Sequence, residues 1–189
     1  MDTDDKTAVI TKNTESLSGN LMGLVFLSVL GFLVDYIPEL IYAVVLWIMS
    51  RNCANYGNAG KCGVIAVVCS FATDVIFPDT DGIAILLGFP AAICALVCEY
   101  EEYCGHQAVL EDIDPEQSQK WDVLWKWYIG AFGVTLLSIF IVFVSAEIAS
   151  VVAGGCAICL IIISITKIVY LYRTSKILKN ITEKSTGVS

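Results

Sequence analysis

Six carboxylates, Glu147 among them, interrupt stretches that are otherwise apolar, and the spacing of the other five gives the sequence its first chemical handle. Asp35 and Glu39 lie four residues apart across Pro38, while Asp74, Asp79 and Asp81 flank Pro78. An ionisable group inside a bilayer marks a proton relay or a cation path by default. Hard cations take oxygen ligands, which convergent carboxylates supply. Asp35, Glu39, Asp74, Asp79 and Asp81 are therefore the transport candidates. Their alternative role is as turn residues wetted at the headgroups. Asp35 and Asp74 could also share a proton as an acid pair, although nothing in their flanking residues supports this.

Thiols are the second handle. Cys53, Cys62, Cys98 and Cys104 stand at or near the ends of apolar stretches, close to His106, the single histidine. Three states are open to them: reduced thiols with palmitoylation near a membrane, disulfides on an oxidising face, or a metal site with His106 as a fifth donor. The C-x₂₋₄-C spacing of structural zinc sites is missing. Cys156 and Cys159 have C-x-x-C spacing but lie in an apolar run, where a thiol acts as a small hydrophobe. No G-x-S-x-G, H-E-x-x-H, Walker A or dinucleotide fingerprint occurs. The expectation is a non-enzyme without cofactor or resident metal.

The elements that must position these groups follow from composition. Of 189 residues, 57% are hydrophobic and 16% charged, against about 45–50% and about 25% in soluble domains. Mean hydropathy is +0.73. The chain holds 19 acidic and 11 basic residues, a balance that disfavours nucleic-acid binding. An all-α polytopic membrane bundle of four to six spans, arranged as three helical hairpins, fits these values. About 20 apolar residues of helix cross a bilayer core. Spans are expected at about 17–34, 38–50 (short or re-entrant), 63–77, 82–98, 127–146 and 150–172. These form one transmembrane domain over 17–172, between an acidic tail at 1–16 and a basic tail at 173–189. A single kinked helix with Asp35 in the bilayer is the alternative for the first block.

Residues 99–126 form an acidic loop in this scheme. Asp114, Pro115, Glu116 and Gln117 have the chemistry of a helix start. Trp121, Trp125, Trp127 and Tyr128 match an interfacial aromatic belt. The hairpin turns contain no lysine or arginine, whereas both tails, the longer loops and the C-terminal end of the last span, at Lys167, contain all eleven. The positive-inside rule then places both termini in the cytoplasm. The expected function is non-catalytic: helix packing as a subunit or organiser of a membrane complex, with the bilayer and a membrane protein or second copy as partners. The alternative is a cation or proton transporter or channel.

Overall fold

The computed structural model describes residues 3–78, 81–141 and 145–185, with side-chain surroundings at 14–78, 82, 86–138, 145 and 147–184. Six α-helices and no strand occur among them: α1 (Thr3–Leu30), α2 (Ile37–Ile48), α3 (Ala54–Phe71), α4 (Asp81–Leu110), α5 (Pro115–Ile141) and α6 (Ala146–Ser185). Each helix packs on its neighbours in the chain, and α6 closes on α1. The result is a ring of six helices.

The α1–α6 seam shows why the ring closes. Leu17, Leu21 and Leu24 are buried opposite Leu171 and Leu178. Their three-and-four spacing gives each helix one apolar stripe, the pattern of near-antiparallel helix packing. Ser18 and Ser175 each donate to the other's backbone carbonyl at 2.9 Å. On α2 and α3 the approach is closer still. A Cβ at Gly60 would stand 2.5 Å from the Trp47 nitrogen and 2.7 Å from the Ala43 carbonyl oxygen. Only glycine fits there.

The first block forms a hairpin, with its turn at residues 31–36. Tyr36 has φ 59°, unusual for a residue with a Cβ. Its hydroxyl donates to Asp74 at 2.8 Å and its ring meets Phe71 edge-on, which anchors the turn on α3. Pro38 sits in the first turn of α2, where its missing N–H costs nothing. A π-helical turn at Ala72–Ile76 ends α3.

Helix extends beyond the expected spans. The 1–16 and 173–189 tails contribute to α1 and α6. The 99–126 segment is helical on both sides of a turn at 111–114, because α4 continues to Leu110 and α5 begins at Pro115. Asp114 caps α5 by accepting from the Gln117 N–H at 3.0 Å, as its sequence indicates.

Two stretches among the described residues, Ala54–Ile76 and Glu147–Lys184, are long and apolar enough to cross a membrane. The expectation was four to six. Thr14–Leu30 of α1 is a shorter apolar stretch, and α2 has 12 residues.

Gly60→Ala is expected to destabilise the protein by about 1–3 kcal/mol, the cost of forcing a side chain into packed backbone. Gly154→Ala, at a position with nothing within 4 Å of the added Cβ, should leave stability unchanged or raise it. Thermal unfolding in detergent measures both.

Candidate functional site

All six helices line a cavity of about 430 Å³. Its polar floor is a cluster that joins α6 to α4 across the ring. Lys167 donates to Glu99 at 2.9 and 3.0 Å and to Glu102 at 3.0 Å. The Tyr42 hydroxyl of α2 donates to the Glu102 carboxylate. The ammonium lies 5.5 Å from the ring centroids of both Tyr42 and Tyr103, within cation–π range. Ser28, Glu39, Ser70, Ser164 and Tyr128 also line the cavity. The Glu102 side chain is 1% exposed and that of Lys167 13%, but that of Glu99 is 27%, so Glu99 offers the accessible carboxylate.

The network continues away from the cavity. His106 Nε2 lies 3.3 Å from Glu102 and Nδ1 lies 2.8 Å from the Tyr56 hydroxyl. A carboxylate only accepts, so Nε2 carries the proton, and Nδ1 of the neutral ring accepts from Tyr56. Trp121 stacks on the imidazole at 4.2 Å and its indole N–H donates to Thr174 at 3.2 Å. His106, Tyr56 and Trp121 are fully buried. Burial lowers the His106 pKa below its ordinary value, against the pull of Glu102.

The sequence candidates are mostly elsewhere. Asp35 is exposed at the first turn, Asp74 accepts from Tyr36, and only Glu39 lines the cavity. Asp79 lies outside the described residues, as does the side chain of Asp81. The metal set does not converge, because no group of three or more metal-ligating side chains occurs among the described residues. Cys53 donates to Asn55 at 3.3 Å, His106 is enclosed by Tyr56, Glu102 and Trp121, and Cys98 is at the cavity wall. Cys62 and Cys104 are partly buried, and all eight cysteines are free thiols. Trp127 is 69% exposed, as an interfacial residue would be, whereas Trp121 belongs to the core.

Sequence reasoning missed Glu99, Glu102, Tyr42 and Lys167. Lys167 lies inside the expected 150–172 span and continues the α6 stripe of Ile163, Leu171, Thr174 and Leu178. Glu99 and Glu102 share a helix face at i, i+3 directly after an apolar run.

No protein-family model, curated protein or solved structure matches this chain.

Two outcomes follow from the network. Lys167→Met leaves the buried Glu102 and the partly exposed Glu99 without their cation and should cost about 3–5 kcal/mol, with part recovered in Lys167→Met/Glu102→Gln. Unfolding in detergent reads both. Separately, the unfolded chain binds a proton at His106 below about pH 6.5 while the folded chain resists it. Stability should therefore fall as the pH drops through about 6.5, and His106→Gln should flatten that slope.

Proposed function

We propose that the chain is a multi-pass membrane protein whose three hairpins cross the bilayer, with both termini cytoplasmic, and whose helical ring binds and passes a small cation. The membrane assignment is supported by the exterior. Phe26, Leu33, Leu86, Phe89, Leu137 and Val151 are each at least 60% exposed. The windows of the two longest apolar stretches are only 17% buried, unlike core helices of a soluble protein. Exposed large apolar side chains run along α6 from Ile148 to Tyr172, about 36 Å of helix, enough to cross a core of about 30 Å with some tilt. Beyond them lie the charged ends, Arg173, Lys176, Lys179 and Lys184 among them.

The cavity carries the cation assignment. Glu39, Glu99 and Glu102 face it against Lys167 alone, so its wall is formally negative. Buried charge in a membrane protein is costly, and it marks a solute path by default. The carboxylates concerned are those of the cavity rather than Asp35 and Asp74. No reaction centre is invoked, and the role is non-catalytic.

The outward glycines favour a second role, helix packing with another membrane subunit or second copy. A Cβ at Gly130, Gly133, Gly154 or Gly155 would meet nothing within 4 Å, and small residues on open faces admit a neighbouring helix.

Liposomes holding a pH-sensitive dye test passage. Purified protein should dissipate an imposed proton or methylammonium gradient faster than protein-free vesicles. Glu99→Gln should reduce the rate by about tenfold, and Asp35→Asn should leave it unchanged. Wild-type flux at the protein-free level would exclude the transport role and leave helix packing.

A further inference from the structure

Resting on the cation site proposed above, we infer that its ligand is a protonated amine with an apolar body, rather than a metal ion or a bare proton. Three observations converge. The first is the state of the carboxylates. Lys167 already spans Glu99 and Glu102, and no three His, Cys, Asp or Glu side chains converge as a metal set among the described residues. A carboxylate accepts at about four lone-pair sites, so the accessible Glu99 retains capacity for one more N–H donor.

The second observation is an orphaned polar atom. Tyr103 lines the cavity and is 1% exposed, yet its buried hydroxyl has no hydrogen-bond partner among the described residues. Native structures satisfy nearly all such groups. An ammonium at Glu99 could donate to this oxygen, since the Tyr103 ring and Glu99 both meet Lys167. The third is the remaining wall. Leu27, Phe32, Ala66, Ile163 and Ile168 are apolar, and a 430 Å³ cavity lies within the range for small organic ligands. The Tyr42 and Tyr103 rings already hold one ammonium at 5.5 Å, so the site's chemistry for nitrogen cations is visible in its own lysine.

Titration calorimetry in lipid nanodiscs tests this with three probes of similar size: 2-phenylethylammonium, 2-phenylethanol and phenylacetate. The ammonium should bind saturably and at least about tenfold more tightly than the alcohol, with phenylacetate weakest. Glu99→Gln should remove most of that preference. Tyr103→Phe, which keeps the ring packing, should weaken the ammonium severalfold and leave the alcohol unchanged. Tetramethylammonium, which lacks N–H donors, should bind more weakly than the primary amine. Equal binding of ammonium and alcohol would overturn the inference, as would an unchanged preference in both variants. Amine binding without vesicle flux would support the ligand assignment and remove only transport. Proton flux without amine binding would do the reverse.

Discussion

The ammonium of Lys167 is the constraint on which this structure turns. It leaves water in the middle of a helical stripe otherwise made of Ile163, Leu171, Thr174 and Leu178. A buried charge is tolerated only when it is paired and hydrogen-bonded. Both partners come from α4, which is not a ring neighbour of α6, so satisfying the charge requires a brace across the ring. Tyr42 brings α2 to the same brace through Glu102. The cavity is space that this brace helps to hold open, with a floor of carboxylates and tyrosine rings.

Two kinds of interior are stacked along the helices. Around His106 the packing resembles that of a water-soluble core, with Tyr56, Tyr103, Trp121 and Leu110 buried and every functional atom of the imidazole occupied. In the part holding the hairpin turns, large side chains such as Phe89, Leu137 and Val151 face outward. Water would penalise such a surface, whereas hydrocarbon would not. Nearer the His106 end, one turn from Tyr56, close backbone contact requires glycine, at Gly60 against Ala43 and Trp47.

Much of the architecture was legible in the sequence because charge and proline mark chain reversal. Asp35 lies in the turn at 31–36 with Pro38 in the first turn of the helix that follows, and Asp114-Pro115 starts a helix as its residue types require. Helix ends were less legible. Residues 99–110 carry Glu99, Glu101 and Glu102, which read as a solvated loop, yet i, i+3 and i, i+4 spacing puts Glu102 against both Lys167 and His106. Partners of this kind are set by ring closure, which brings together residues 65 and 68 positions apart. No local pattern encodes such a distance. The turn carboxylates drew notice as isolated charges, but isolation in sequence proved to mean exposure at a turn for Asp35.

Spin labels at positions 89, 137 and 151, introduced one at a time in the protein reconstituted into lipid vesicles, test the central claim most directly. That claim is that the apolar exterior faces hydrocarbon around a polar, braced interior. The account predicts ready collision with oxygen and little with a water-soluble nickel chelate at all three sites. Preferential collision with the chelate at these positions would contradict it.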